Sequence, residues 1–131
     1  MKHTILVVED EPDHRSLVRM TLRLAGYDVC EARSGEDALA RFDDLRPDAL
    51  VLDIRLPGID GLAVLAHVRF SRAFGDVAVV LCSAHATAAA ADAARGDRRT
   101  SFVAKPFHPD RLITALDDML RHTEMAKTHE P

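Results

Sequence analysis

Short apolar runs alternate along the chain with segments whose apolar residues recur at helical spacing. The short runs predict strands, because a strand covered on both faces of a sheet is apolar at consecutive positions. The five predicted strands are Thr4–Val8, Tyr27–Ala32, Ala49–Leu52, Val77–Cys82 and Phe102–Ala104.

The segments that follow these runs predict five helices. Ser34 and Asp37 stand at the spacing of an N-terminal capping box, and Gly26 and Gly96 mark the ends of two helical patterns. The predicted helices are Asp13–Ala25, Ser34–Leu45, Gly61–Phe70, Ala84–Arg95 and Pro109–Arg121. In the first helix, the residues expected to face inward are Leu17, Val18, Thr21, Leu24 and Ala25.

Strands that alternate with helices predict an α/β fold, in which helices cover both faces of a parallel sheet. The length of 131 residues suits one domain with a core of its own. A net charge of −4 argues against nonspecific nucleic-acid binding, which needs a basic surface. Cys30 and Cys82 lie in strand-like runs, which favours buried thiols over zinc ligands. The chain shows neither a signal peptide nor a membrane-spanning run, so a cytoplasmic protein is expected.

Polar side chains follow four of the five predicted strands. Ligands of open α/β sheets bind at the carboxyl ends of the strands, so these residues are expected to meet at one edge. Each also has a simpler explanation by itself, since acids and serines cap helices and lysines are common on surfaces. The residues are Glu9, Asp10 and Glu11 after the first strand, Asp53 after the third, Ser83 after the fourth and Lys105 after the fifth.

Taken together, these residues predict a phosphoryl-transfer site. Carboxylates gathered at one edge repel one another unless one is protonated or a cation lies among them. Oxygen ligands favour a hard cation, and Mg²⁺ also binds phosphoryl oxygens. A carboxylate nucleophile at Asp53, an ammonium at Lys105 and a hydroxyl at Ser83 supply the other groups that aspartyl-phosphate chemistry requires.

The motifs at these strand ends resemble the receiver (CheY-like) domain of two-component response regulators. Four motifs in order, at domain-wide spacing, make the resemblance specific, and it covers about residues 4–121. It implies a flavodoxin-like, doubly wound sheet of five parallel strands in the order 2-1-3-4-5 with five helices. The receiver domain is therefore expected over residues 1–121, and the polar composition of the last ten residues predicts a flexible C-terminal tail over 122–131. The motifs are Ile5–Pro12, Val51–Gly61, Leu81–Ala84 and Phe102–Phe107.

The resemblance implies that Asp53 accepts a phosphoryl group from a histidine kinase or a histidine phosphotransfer protein. Mg²⁺ would be bound by Asp53 and Asp10, by Glu9 directly or through water, and by the backbone carbonyl of Arg55. Lys105 would pair with Asp53 or with its phosphate, and the Lys105–Pro106 peptide bond is expected to be cis.

The resemblance further implies a switch that reaches a protein-binding face. Ser83 would bind a phosphoryl oxygen, and Phe102 would change its rotamer and alter the face made by the fourth helix, the fifth strand and the fifth helix. This face would bind a downstream protein or a second copy of the chain, with no nucleic-acid or membrane partner. Arg55 and His85 are either modulators of self-hydrolysis or exposed bystanders.

Several alternatives stay open on the sequence. The chain is either a stand-alone receiver or the receiver fragment of a DNA-binding transcription regulator or hybrid kinase, and the intact motif set argues against a phosphate-independent scaffold. Arg55 stands where an aspartyl-phosphate hydrolase needs its second acid, which favours a signalling domain over an enzyme. The alanine-rich segment Ala84–Arg95 indicates either a loosely docked helix or a compositional bias, and Asp97–Ser101 departs from the family pattern.

Overall fold

The computed structural model describes residues 2–84 and 88–128, with side chains described as far as Arg121. Within this part of the chain, five strands alternate with five helices. The strands are β1 (Thr4–Val8), β2 (Asp28–Ala32), β3 (Ala49–Asp53), β4 (Ala78–Ser83) and β5 (Thr100–Ala104). The helices are α1 (Pro12–Leu24), α2 (Gly35–Leu45), α3 (Gly61–Phe70), α4 (Ala88–Arg95) and α5 (Pro109–Thr128).

The five strands form one parallel sheet in the order β2-β1-β3-β4-β5, which confirms the predicted topology. β1 pairs with β2 on one side and with β3 on the other, so the direction of winding reverses between β1 and β3. The carboxyl ends of these two strands therefore border the switch point, where α/β sheets bind ligands. None of the helices that the structure describes is long and apolar enough to cross a membrane.

Apolar side chains alternate between the two faces of the sheet. Ile5 and Val7 pack with α1 and α5 on one face, whereas Leu6 and Val8 pack with α2, α3 and α4 on the other. Burial on both faces explains why the central strands read as nearly continuous apolar runs.

Several element boundaries differ from the sequence prediction. β5 begins at Thr100 rather than Phe102, because the buried polar residue Thr100 pairs with β4 although it breaks the apolar run. α5 continues to Thr128 rather than ending at Arg121, since residues 122–128 include neither glycine nor proline. α4 is described from Ala88, and residues 85–87 of its predicted first turns lie outside the described residues.

The buried face of α1 was assigned wrongly from the sequence. Leu17 and Leu24 are 59% and 88% exposed, whereas Val18 and Leu22 are buried. Residues four apart lie on one helix face, so two adjacent rows of α1 are apolar enough to be the buried one. The predicted set mixed the two rows: it included Val18 but left out Leu22, and both residues are buried in the core.

Gly61, the first residue of α3, lies against the end of β3. Its N–H donates to the carbonyl of Ile54 at 2.8 Å. A Cβ atom at this position would lie 2.3 Å from the carbonyl oxygen of Asp53 and 2.7 Å from Cα of Ile54. Only glycine allows the backbone of α3 to approach the phosphoacceptor candidate this closely.

We predict that Gly61→Ala destabilises the protein by about 2 kcal/mol, because the added methyl group forces the start of α3 away from β3. Gly96→Ala is the matched control, since a Cβ at Gly96 meets nothing within 4 Å, and it should change stability by less than about 0.5 kcal/mol. Urea unfolding of both variants measures the difference. Equal free energies of unfolding for the two variants would contradict the close approach.

Candidate functional site

The first wall of the site is the turn between β1 and α1. The N–H of Glu9 donates to the carbonyl of Ala32 at 3.1 Å, and Arg15 Nη1 donates to the carbonyl of Glu9 at 2.9 Å. Glu11 caps α1, because its carboxylate accepts from the N–H groups of Asp13 and His14 at 3.2 and 2.6 Å. The cap is therefore Glu11 and not Asp10 or Asp13, and Asp10 is placed beside the sheet edge instead.

Asp53 is the last residue of β3 and is 8% exposed. One carboxylate oxygen accepts from the N–H of Arg55 at 3.1 Å, and the other lies 3.1 Å from Lys105 Nζ. The turn after β3 is held to the sheet as well, since the N–H of Ile54 donates to the carbonyl of Cys82 at 3.0 Å. These contacts fix the direction of the Asp53 carboxylate toward the switch point.

Lys105 contacts both the turn after β1 and the end of β3. Its ammonium lies 3.3 Å from Glu9 Oε2 as well as 3.1 Å from Asp53 Oδ2, although the three residues are far apart in sequence. The N–H of Lys105 donates to the carbonyl of Ser83 at 2.8 Å, and the Lys105–Pro106 peptide bond is cis, as predicted. The lysine is thereby held by its backbone to the end of β4 while its side chain reaches β1 and β3.

Glu9, Asp10 and Asp53 form the acidic cluster of the site. Each can offer one carboxylate oxygen, and the three oxygens lie within 4.8 Å of one another. A cluster with only oxygen donors suits a hard cation such as Mg²⁺, which takes carboxylates and keeps several waters. The donor set therefore fits the predicted metal, and Arg55 belongs to the turn that leads out of the cluster.

The charges in this cluster perturb one another. Burial, together with a hydrogen bond to and repulsion by Asp53, raises the pKa of Glu9 from its usual 4.5 to about 8. Burial works against the ammonium of Lys105, but attraction by Asp53 and Glu9 outweighs it and raises the pKa of the lysine. At neutral pH without a cation, Glu9 therefore retains its proton, and binding of a cation would release it.

Ser83 is the last residue of β4, whereas Phe102 lies in the middle of β5, opposite Leu81. Ser83 is buried at the end of β4, opposite Ala104 of β5. Phe102 is partly buried and packs against the core under α2, α3 and α4. Tuning of hydrolysis by Arg55 and His85 stays a prediction, and His85 lies outside the described residues.

Sequence reasoning missed Arg15 and His14, and it did not assign Glu11, a candidate at the sheet edge, as the cap of α1. Beyond the Glu11 cap, Arg15 holds the backbone of Glu9, and the His14 ring lies 5.9 Å from the Phe107 ring in an edge-to-face contact. Burial, with Lys105 nearby, lowers the pKa of His14. The sequence signal was the acidic residue directly before Pro12, because proline commonly begins a helix that an acidic residue caps.

Known proteins resemble this chain in sequence over most of its length. The family model for the response regulator receiver domain matches residues 5–117. The transcriptional regulatory protein TrcR of Mycobacterium tuberculosis is 38% identical over 121 residues, which are 91% of this chain and 46% of the relative. The nitrogen assimilation regulatory protein NtrX of Azorhizobium caulinodans is 38% identical over 122 residues, 92% of this chain and 26% of the relative. The chain thus spans less than half the length of these two relatives.

Solved structures show the same fold. The chemotaxis protein CheY4 of Vibrio cholerae superposes with a TM-score of 0.83 at 25% identity, over 91% of this chain and 99% of that one. The receiver domain of NtrX from Brucella abortus superposes with a TM-score of 0.78 at 37% identity, over 89% of this chain and 98% of that one.

We predict that Glu9→Gln stabilises the metal-free protein at pH 8 by a few degrees in melting temperature. The folded-state pKa of Glu9, about 8, lies above its unfolded value, so the stability of the wild type falls as the pH rises from about 4.5 through 8. The variant lacks this dependence. Thermal unfolding in a chelator across this pH range measures it.

Asp43→Asn is the matched control for this change, because Asp43 is an exposed acidic residue on α2. Excess Mg²⁺ should reverse the order by stabilising the wild type more than Glu9→Gln. Parallel pH profiles for wild type and Glu9→Gln would contradict the assignment of the raised pKa to this residue.

Proposed function

The chain belongs to the receiver domain family of two-component response regulators, and we propose that it is switched by transfer of a phosphoryl group to Asp53. The donor is a phosphohistidine on a histidine kinase or on a histidine phosphotransfer protein. The observation that carries the proposal is the contact of Lys105 with Asp53 and Glu9, which gathers a nucleophile, a cation and an acidic cluster at the switch point.

In the transfer step, an Asp53 carboxylate oxygen attacks the phosphorus of the phosphohistidine. The new P–O bond forms as the P–N bond breaks, and the electron pair of that bond returns to the departing imidazole. Lys105 holds the attacking carboxylate and offsets the negative charge on the phosphoryl oxygens. The Arg55 N–H fixes the second carboxylate oxygen, so the nucleophile presents a defined direction.

Mg²⁺, when bound, supplies further positive charge to the phosphoryl oxygens. Asp53 and Asp10, Glu9 directly or through water, and the carbonyl of Arg55 would hold it. Loss of the proton that Glu9 retains at neutral pH accompanies this binding, so the affinity for Mg²⁺ should rise with pH toward 8.

We propose that the signal leaves through α4, β5 and α5. Ser83 binds a phosphoryl oxygen, and Phe102 responds by changing its rotamer. Supporting this route, a groove of about 380 Å³ separates β5 from α5, and Phe102, Arg111 and Thr114 line it. A shift of the phenyl ring would change the shape of the groove and hence the fit of a downstream protein or of a second copy.

The functional unit in this proposal is a receiver over residues 1–121, followed by a tail over 122–131 whose first residues continue α5 to Thr128. We place it in the cytoplasm, where its phosphodonors act, with no nucleic acid or membrane bound through this chain. The domain assists its own phosphorylation and dephosphorylation but is a signalling domain rather than an enzyme acting on a separate substrate.

A second candidate is the receiver part of a larger transcription regulator. The observation that favours it is that the chain covers only 46% and 26% of two regulators that it resembles over nine-tenths of its own length. Whether the natural reading frame continues past Pro131 into a DNA-binding or kinase domain separates the two candidates.

We predict that acetyl phosphate with Mg²⁺ adds one phosphoryl group to the wild type and none to Asp53→Asn, as seen by intact-mass spectrometry. The amide cannot form the acyl phosphate, whereas Asp43→Asn, an exposed aspartate on α2, should react like wild type. Omission of Mg²⁺ should abolish the adduct. An adduct that persists in Asp53→Asn would contradict the assignment of the phosphoacceptor.

A further inference from the structure

Arg69, in the last turn of α3, uses all five of its N–H donors. Nε donates to Asp97 Oδ2 at 2.8 Å, and Nη1 donates to the carbonyls of Gly75 and Val77 at 3.1 and 2.6 Å. Nη2 donates to the carbonyl of Arg99 and to Thr100 Oγ1 at 3.0 and 2.7 Å. One guanidinium thus joins the end of α3, the connection to β4 and the start of β5.

Asp97 completes this cluster from the connection between α4 and β5. It accepts from Thr100 Oγ1 at 2.7 Å and from the N–H of Arg99 at 2.9 Å, in addition to Arg69. Burial works against its charge, but these hydrogen bonds and Arg69 hold the pKa of Asp97 below its usual value. Asp97 follows the end of α4 by two residues, so the C-terminal end of that helix is tied to this cluster, which we call the Arg69–Asp97 clamp.

α4 itself has little apolar attachment to the domain. Ala90 is its one buried residue among the described positions, and the helix presents mainly alanines to the sheet. An alanine buries little area, so its burial contributes little to docking. The helix is therefore held weakly along its length and strongly at its C-terminal end.

We propose that the Arg69–Asp97 clamp is the fixed end of the switch. Modification at Asp53 moves the end of β4 and the body of α4, while Asp97–Thr100 and the start of β5 stay in place. The motion of α4 is then a rotation about its clamped end, and Phe102 moves its side chain on a β5 backbone that does not shift. The coupling to Asp53 rests on the proposed function, whereas the clamp can be tested without it.

The test is hydrogen exchange measured by mass spectrometry on wild type, Arg69→Lys and Asp97→Asn. Lysine keeps the charge but loses the planar fork that reaches five acceptors, and asparagine keeps the shape but loses the charge. Asp92→Asn is the matched control, because among the described residues Asp92 makes one exposed ion pair, with Arg95 of the same helix. Each protein is measured unmodified and after treatment with acetyl phosphate and Mg²⁺, with the adduct followed by intact mass.

In the unmodified protein, both clamp variants should speed exchange over residues 96–101 by about tenfold or more, because hydrogen bonds to charged groups are lost there. Exchange over residues 96–101 should stay unchanged in the Asp92→Asn control, and exchange of the β3 amides should stay unchanged in all variants. In phosphorylated wild type, exchange over residues 88–95 should change while residues 96–101 stay as they were. In phosphorylated clamp variants, the change should spread into residues 96–101.

Two results would overturn the clamp directly: unchanged exchange at 96–101 in both variants, or faster exchange that extends equally to β3, which would indicate a role in whole-domain stability. If hydrogen exchange changed equally over residues 88–95 and 96–101 in the phosphorylated wild type, the proposal that the clamp is the fixed end of the switch would be overturned. If the wild type takes no phosphoryl adduct, the proposed function fails, and so does the role of the clamp in the switch. Exchange in the unmodified wild type and variants still decides whether the clamp holds residues 96–101 in place.

Discussion

The ammonium of Lys105 lies between the buried carboxyl groups of Asp53 and Glu9, and the chemistry of the site depends on that contact. Burial, together with a hydrogen bond to Asp53 and repulsion by it, raises the pKa of Glu9 to about 8. The lysine offsets part of this repulsion, and its flexible stem allows it to follow the most negative oxygen. A cation or a phosphoryl group that enters the cluster changes the balance between the repulsion of the carboxyl groups and their attraction to Lys105. The contacts of Lys105 are therefore sensitive to charge that enters the site.

The fold makes this contact possible by bringing distant residues together at one edge. Lys105 is separated from Asp53 by 52 positions and from Glu9 by 96, yet parallel pairing ends β1, β3 and β5 at the same side of the sheet. Apolar burial on both faces fixes the register of the strands, so their ends are positioned before any ligand arrives. The connection after β3 is held by Gly61, whose missing side chain lets α3 begin against Asp53. At the other edge of the sheet, where β4 and β5 begin, the Arg69–Asp97 clamp holds the connecting segments in place.

The gathering of Glu9, Asp10, Asp53 and Lys105 could be predicted, because strand-like runs and the residues at their ends are local in sequence. The sheet order followed from the family resemblance that the strand-end motifs carry. The buried row of α1 could not, since its two adjacent rows carry similar apolar content and only packing against the sheet selects Leu22. The five bonds of Arg69 could not be predicted either. Three of them join segments that are about thirty residues apart in the chain. An arginine near a helix end is usually a solvated surface residue.

Titration of ¹⁵N-labelled protein with Mg²⁺, followed by amide chemical shifts, tests the central claim most directly. The acidic cluster and Lys105 should act as one site, so saturable shifts should concentrate at the ends of β1, β3 and β5. Their apparent affinity should increase between pH 6 and 8 as Glu9 loses its proton. Shifts that do not saturate, that lie away from this edge, or that show no pH dependence would contradict an electrostatically poised site.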